Sequence, residues 1–162
     1  MPKHGKWRKL LEIVGFIWLA ANAWAGEGTV IKVLPQFLDS KGRSALSPSL
    51  YERDAYQFAL RKEPSKQAGL RLAVQWKAKK VDWTKLKIRA ELRGLANDTI
   101  HTVIIEEPAK KPRLFGNWED LKLDGEAFHA FGQLVAWRVS LWEGDHQLGD
   151  LESFLWNGVT AH

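Results

Sequence analysis

The feature that most constrains the fold is an alternating stretch near the carboxyl end of the chain, LVAWRVSLWEGDHQLGDLESFLW, from Leu134 to Trp156. Apolar residues occupy every second position of its first half, so a β-strand would project four of them from one face: Val135, Trp137, Val139 and Leu141. Gly144-Asp145 can form a tight turn, and a second apolar stretch follows it. The pattern predicts a β-hairpin whose first strand lies at the centre of a sheet.

The second strand of this hairpin is predicted to contain a β-bulge. Uninterrupted pairing from a two-residue turn would place Asp150 opposite Val139 on the core face, where an unpaired carboxylate is costly. One extra residue at Gly149 restores the alternation, so that Val139 faces Leu151. The restored register leaves Phe154 on an apolar outer face, which a helix or a partner must cover.

Five further segments have β-branched or alternating apolar residues and are predicted as strands. They are Thr29–Leu34, Leu70–Trp76, Leu86–Leu92, Thr99–Glu106 and Trp118–Leu123. The first has the character of an edge strand, and Pro35 is expected to end it because proline has no N–H for a sheet ladder. Seven strands without regular alternation of strand and helix predict an antiparallel sandwich rather than a parallel α/β sheet.

One helix is predicted between the first two strands, from Leu50 to Lys62. Ser49 and Glu52 have the spacing of a capping box, and Pro64 follows the last turn. One helical face is apolar, and we expect it to pack on the sheet: Tyr51, Ala55, Phe58 and Ala59. A shorter helical turn is predicted just before the hairpin, with Asp124 as its cap.

The order of these elements resembles that of immunoglobulin-like and fibronectin type III-like sandwiches, from about Thr29 to Trp156. The resemblance implies an all-β, two-sheet antiparallel sandwich with one inserted helix at 50–62. The Cys…Trp…Cys pattern of true immunoglobulin domains is missing, because the chain contains no cysteine. No function follows from the resemblance, since such sandwiches host many unrelated functions.

The first 25 residues have the three parts of a secretory signal. Four basic residues precede an apolar run, Ile13–Ala25, whose last three residues match the small-x-small cleavage pattern. We therefore expect a signal helix at 1–25, a sandwich domain at 26–162, and a periplasmic or extracellular location. The alternatives are an uncleaved membrane anchor and a buried helix of the fold. The run is shorter than the ~20 residues that span a bilayer, which favours cleavage.

Net charge and motifs argue against several classes of function. Residues 1–25 hold four Lys/Arg and one Glu, so they contribute three of the five net positive charges of the chain. Basicity therefore gives no reason to expect a nucleic-acid partner. No phosphate-loop motif, catalytic motif or metal-ligand spacing is present, so we expect neither a cofactor nor a metal, and no enzymatic activity.

Charge is unevenly distributed along the sandwich domain. Residues 70–93 have a net charge of +6, and residues 117–152 have a net charge of −6. The basic half could bind an anionic or carbohydrate polymer of the cell envelope. Alternatively, its lysines prevent edge-to-edge aggregation and the two halves attract each other. The candidate binding surface combines basic residues with aromatic residues of the hairpin: Lys77, Lys87, Arg89, Trp142, Phe154 and Trp156.

The main functional hypothesis is an exported, non-enzymatic β-sandwich module of a bacterial cell envelope that binds or assembles with a partner, such as an envelope protein. One alternative is a carbohydrate-binding module with a flat row of exposed tryptophans. Another is a hydrolase whose site is built from loops, which would need a deep pocket with convergent acids. Contact with the membrane is expected only through the signal segment, if that segment is retained.

Overall fold

The computed structural model describes residues 26–158, so the predicted signal segment lies outside the described residues. Two helices and seven strands occur in this range: β1 (Glu27–Leu38), α1 (Leu50–Lys62), β2 (Gly69–Lys79), β3 (Leu86–Ala96), β4 (Thr99–Pro108), β5 (Asn117–Asp124), α2 (Gly125–Phe131), β6 (Gln133–Glu143) and β7 (His146–Glu152). All strand pairs are antiparallel. They form a three-stranded sheet in the order β1-β2-β5 and a four-stranded sheet in the order β4-β3-β6-β7. The predicted all-β, two-sheet fold with an inserted helix is confirmed.

The hydrophobic core lies between the two sheets and is built mainly from residues that alternate along four strands. Its largest contributions come from β2, β3, β5 and β6, whose inward side chains are fully or almost fully buried: Leu70, Leu72, Val74, Trp76, Leu86, Ile88, Leu92, Leu121, Val139 and Leu141. Phe128 and Phe131 of α2 close one end of this core. Period-two alternation therefore identified most core-facing residues of these strands correctly, and β6 departs from it at Val135.

β1 is an edge strand, as predicted, but it continues through Pro35 to Leu38. The backbone N–H of Phe37 points away from β2, since it donates to a side chain on the other side of the strand. Pro35 lies two residues earlier and has the same orientation, so its missing N–H costs no ladder hydrogen bond. The prediction that Pro35 ends the strand is wrong for this reason.

The bounds of α1 agree with the sequence prediction, but the predicted buried face is wrong. Tyr51 is 84% exposed and Phe58 is 57% exposed, whereas the buried residues of the helix are Gln57 and Leu60. Ser49 is the residue that precedes the first turn, yet its side chain makes no capping hydrogen bond. The helix is therefore turned by about half a revolution relative to the prediction.

The reason is that α1 covers the free edge of β1 rather than the face of a sheet. An edge strand presents unpaired backbone groups, and these need hydrogen-bond partners more than apolar cover. Gln57 supplies the partners, since its Oε1 accepts from Phe37 N–H at 2.8 Å and its Nε2 donates to Phe37 O at 2.9 Å. The same amide nitrogen donates to Ser44 O at 2.7 Å, which fixes the loop between β1 and α1.

The hairpin formed by β6 and β7 has the predicted architecture, and β6 lies inside the four-stranded sheet. Val139 pairs with Leu151, which confirms the predicted register. The bulge lies one residue earlier than predicted, because Gly149 still pairs with Leu141 and the extra residue is Leu148. A second irregularity makes Val135 the extra residue of β6 opposite β3, so Leu134 packs on the core instead of Val135.

Candidate binding surface

Three of the six candidate residues lie together on the outer face of the four-stranded sheet. Lys87 pairs with Trp142 across β3 and β6, and Arg89 pairs with Ser140. The indole N–H of Trp142 donates to Ser140 Oγ at 2.7 Å, which draws the ring along its own strand. Trp142 is half-buried, so one aromatic ring and two cations share this face.

Carboxylates on the flanking strands balance the charge of this face. Lys87 Nζ lies 3.1 Å from Glu106 of β4, and the guanidinium of Arg138 lies 3.3 Å from Asp150 of β7. The Nε of Arg89 lies 3.9 Å from the carboxylate of Glu91 on its own strand. The outer face is thus a set of ion pairs rather than a positive patch, and this weakens the case for an anionic polymer as its ligand.

The other three candidates do not join this group as a binding surface. Trp156 is buried, and the guanidinium carbon of Arg93 lies 3.7 Å above its ring. Phe154 lies in the turn after β7 and is 99% exposed. Lys77 is exposed on β2, in the other sheet. The predicted apolar outer face was expected to need a cover. The chain itself covers Trp156, whereas Phe154 stays in solvent.

Sequence reasoning missed the two places where exposed apolar side chains gather, which lie at opposite ends of the sandwich. β1 ends and β2 begins at the end that carries α1, and we call this the helical end. β1 begins at the other end, which we call the Gly26 end; there β4 leads into β5 through residues 109–116. We call these eight residues the tip loop. Each end presents large apolar side chains to water.

At the helical end the exposed apolar residues form one stripe along α1. We call this stripe the helix surface, and it consists of Tyr51, Ala55, Phe58 and Ala59. All four are exposed. The stripe lies opposite the buried Gln57 and Leu60, as the helical repeat requires. The ammonium of Lys62 lies 5.3 Å from the centre of the Phe58 ring and borders the stripe.

At the Gly26 end the tip loop holds two apolar side chains almost entirely in water. Leu114 is 86% exposed and Phe115 is 91% exposed. Both lie at the centre of a turn that is closed by the hydrogen bond from Gly116 N–H to Arg113 O at 3.1 Å. These central positions usually hold glycine, proline or short polar residues, so a Leu-Phe pair here is unusual.

A cavity of about 560 Å³ lies next to α1, and Asp39, Tyr56 and His129 are among its lining residues. Asp39 contributes the one carboxylate among the described lining residues. Hydrogen bonds from the Arg43 backbone, the Tyr56 hydroxyl and the Arg43 side chain hold its pKa well below its usual range. Asp39 thus stays ionised and fastens a loop, so it cannot act as a general acid at neutral pH.

Within residues 26–158 no three His, Cys, Asp or Glu side chains are grouped closely enough to hold a metal ion. In the same part of the chain no helix combines the length and apolar character that crossing a membrane requires. Comparison of the chain with protein-family models, curated proteins and solved structures finds no significant match.

Proposed function

We propose that the chain is an exported, non-enzymatic β-sandwich module of a bacterial cell envelope that docks a partner protein on the helix surface. One observation carries the proposal: α1 buries its polar Gln57 side against β1 and leaves its apolar stripe in water. Solvent-facing helix stripes are normally polar. Protein–protein interfaces combine aromatic residues at the centre with polar residues at the rim, and the apolar stripe bordered by Lys62 has this composition.

The chemistry of the helix surface defines the kind of partner that fits it. Tyr51, Ala55 and Phe58 recur at i, i+4 and i+7, the spacing by which an amphipathic helix enters an apolar groove. Each aromatic ring would gain about 1.5–3 kcal/mol if a partner removed it fully from water. The two alanines between and beside the rings allow a partner to approach the helix closely. We infer a partner protein with an apolar groove and an acidic group near Lys62.

Export is supported by the segment 1–25, whose four basic residues, apolar run Ile13–Ala25 and small-x-small ending match a secretory signal. Cleavage at Ala25-Gly26 would leave the chain of the sandwich and the helix surface intact.

The strand order supports a finer assignment to the immunoglobulin-like group. In constant-type immunoglobulin domains, strands A, B, E and D form one sheet and strands C, F and G form the other. Here β1, β2 and β5 take the places of A, B and E, while β3, β6 and β7 take those of C, F and G. The fourth strand, β4, pairs with β3 instead of β5. Domains of this group commonly serve as binding modules on cell surfaces.

A carbohydrate-binding function is the second candidate, and Trp142 is the observation that favours it. Its half-buried ring is fixed by Ser140 beside Lys87 and Arg89, so one sugar ring could stack there. The two tryptophans that are about half exposed, Trp83 and Trp118, lie on a turn and on the other sheet. They do not extend Trp142 into a flat row, which places this candidate second.

Affinity capture from the host envelope fraction tests the proposal. The bait is the wild-type chain, and the decisive variant is Tyr51→Ser/Phe58→Ser, which removes both rings without entering the core. We expect the wild type to retain a specific protein and the variant to retain it at least about tenfold less, since 1.4 kcal/mol of lost binding is a factor of ten. Phe154→Ser is the matched control, because Phe154 is more exposed than either ring but lies outside the helix surface.

Two results would argue against docking on the helix surface. One is equal capture of the same protein by the wild type and by Tyr51→Ser/Phe58→Ser. The other is capture of a polysaccharide that is lost with Trp142→Ala and kept with the helix variant, which would establish the carbohydrate-binding function instead.

A further inference from the structure

We propose that the Gly26 end of the sandwich rests on an anionic lipid bilayer, with Leu114 and Phe115 inserted among the lipid headgroups. The inference concerns the end opposite the helix surface and does not depend on the partner protein. It also goes beyond the expectation from sequence, which limits membrane contact to the signal segment.

The tip loop is held in a fixed shape that presents its apolar pair outward. On one side, Lys110 N–H donates to Glu119 Oε1 at 3.0 Å, and Ala109 N–H donates to Leu86 O at 2.9 Å. On the other side, Asn117 Nδ2 donates to Lys111 O at 2.9 Å. The first three residues of the loop are therefore fastened to the sandwich, and Gly116 N–H closes the turn on Arg113 O at 3.1 Å. Insertion would cost little conformational entropy, because the loop is already ordered in the exposed geometry.

The charge next to the apolar pair is positive. Lys111 and Arg113 are both exposed, and neither takes part in an ion pair among the described residues. Lys110 is different, since its ammonium lies 2.7 Å from Glu119. Lys111 and Arg113 thus remain available to lipid phosphates on both sides of Pro112. An exposed apolar pair bordered by cations is the combination that binds an anionic interface.

The acidic groups of the same end are only partly engaged: Glu27 and Glu107 are exposed and take part in no ion pair among the described residues, whereas Asp82 and Glu143 contact other groups. Asp82 pairs with Lys85 at 3.3 Å, and its backbone N–H donates to Glu143 Oε1 at 2.5 Å. Asp145 is exposed in the β6–β7 turn. This turn lies at the opposite side of the four-stranded sheet from β4. Along the chain, Lys111 and Arg113 are the charged residues closest to Leu114 and Phe115, and Glu107 of β4 precedes the tip loop by two residues.

Aromatic residues around the tip loop extend the surface that could meet lipid headgroups. Trp83 lies in the turn between β2 and β3, and Trp118 follows the tip loop by two residues. Tryptophan prefers the membrane–water interface, because its ring is apolar and its indole N–H is polar. The half-exposed tryptophans Trp83 and Trp118 thus lie at the end that also carries Leu114 and Phe115.

The course of the chain points to the same end. Gly26 is the first described residue and lies beside Val81 and Glu143, at the start of β1. The apolar run Ile13–Ala25 joins the sandwich there. Any attachment of the chain to a membrane through that run would bring the Gly26 end, rather than the helical end, to the bilayer.

A single fluorescent label in the full chain tests this inference, since the chain has no cysteine of its own. Phe115→Cys and, as the matched exposed control at the helical end, Tyr51→Cys are labelled with a nitrobenzoxadiazole dye. Vesicles contain either phosphatidylcholine alone or two parts phosphatidylcholine to one part phosphatidylglycerol. We expect the dye in place of Phe115 to shift to the blue and brighten on the anionic vesicles, and the dye in place of Tyr51 to show no change.

A charge variant separates electrostatic binding from mere proximity to the bilayer. Lys111→Gln/Arg113→Gln should raise the lipid concentration at half-maximal signal about thirtyfold, because each of the two cations contributes about 1 kcal/mol near an anionic surface and 1.4 kcal/mol is a factor of ten. The inference fails if the dye in place of Phe115 is unchanged on anionic vesicles, if both labels respond equally, or if the charge variant has no effect. None of these results would change the expected outcome of the capture experiment, which depends on Tyr51 and Phe58.

Discussion

Replacement of Gly149 by valine is expected to destabilise the folded chain by about 3 kcal/mol, because overpacking at this position cannot relax easily. A Cβ atom on Gly149 would lie 2.6 Å from the carbonyl oxygen of Gly28. A Cβ on Gly28 would in turn lie 2.7 Å from the Cβ of Leu148. The two glycines mark the place where β7 of one sheet passes β1 of the other, and the obstructing atoms are largely backbone.

Urea unfolding followed by tryptophan fluorescence measures this loss. Gly158→Val is the control, since a Cβ on Gly158 meets nothing within 4 Å, and its effect should stay within about 0.5 kcal/mol. A Gly149→Val chain as stable as the wild type would mean that β1 and β7 do not approach each other as described.

Replacement of Gln57 by leucine is expected to cost about 2–4 kcal/mol, although it puts an apolar residue of similar size at a buried helical position. The side-chain amide of Gln57 makes three hydrogen bonds to backbone groups, two of them to Phe37 and one to Ser44. Leucine would leave a partly buried N–H and two carbonyl oxygens without these partners. The loss of free energy of unfolding in urea is the measurement.

The neighbouring residue provides the contrast that makes this result specific. Phe58→Ala should cost less than about 1 kcal/mol, because its ring is more than half exposed and leaves no cavity in the core. The apolar pattern of the helix predicts the reverse order, with about 3–5 kcal/mol lost for a fully buried Phe58. If Phe58→Ala proved more damaging than Gln57→Leu, α1 would pack in the orientation that the sequence pattern predicts.

The sequence allowed those parts of the fold to be predicted that depend on local chemistry. Period-two alternation identified the inner strands, and the turn at Gly144-Asp145 was recognisable because glycine tolerates the positive φ that Gly144 adopts. The bounds of α1 and the register of Val139 with Leu151 were also predictable. Each of these features depends on residues close together in sequence or directly paired in a hairpin.

The remaining features depend on contacts between distant parts of the chain, which a local pattern does not contain. The buried side of α1 is set by the free edge of β1, so Gln57 is buried where apolarity alone would choose Phe58. Among the candidate residues, Lys87, Arg89 and Trp142 came together because they are paired strand neighbours. Phe154 and Trp156 separated because the chain turns away from β6 after Glu152.

The tip loop had a recognisable sequence signal that period analysis does not detect. Lys110, Lys111 and Arg113 precede Leu114 and Phe115 in a segment bounded by a proline and a glycine. Large apolar residues at turn positions are informative about function, because an exposed apolar side chain in a turn does not stabilise the fold. Such a segment is the sequence signal that underlies the proposed contact with lipid.

Photo-crosslinking in the native host tests the central claim, docking of a partner on the helix surface in the cell envelope, most directly. A photoreactive phenylalanine analogue is placed in the full chain at Phe58, or at His101 of β4, which is exposed but lies outside both surfaces. Docking predicts a discrete protein adduct in the envelope fraction from the analogue at Phe58 and none from the analogue at His101. No adduct from Phe58, the same adducts from both positions, or adducts confined to the cytoplasm would contradict it.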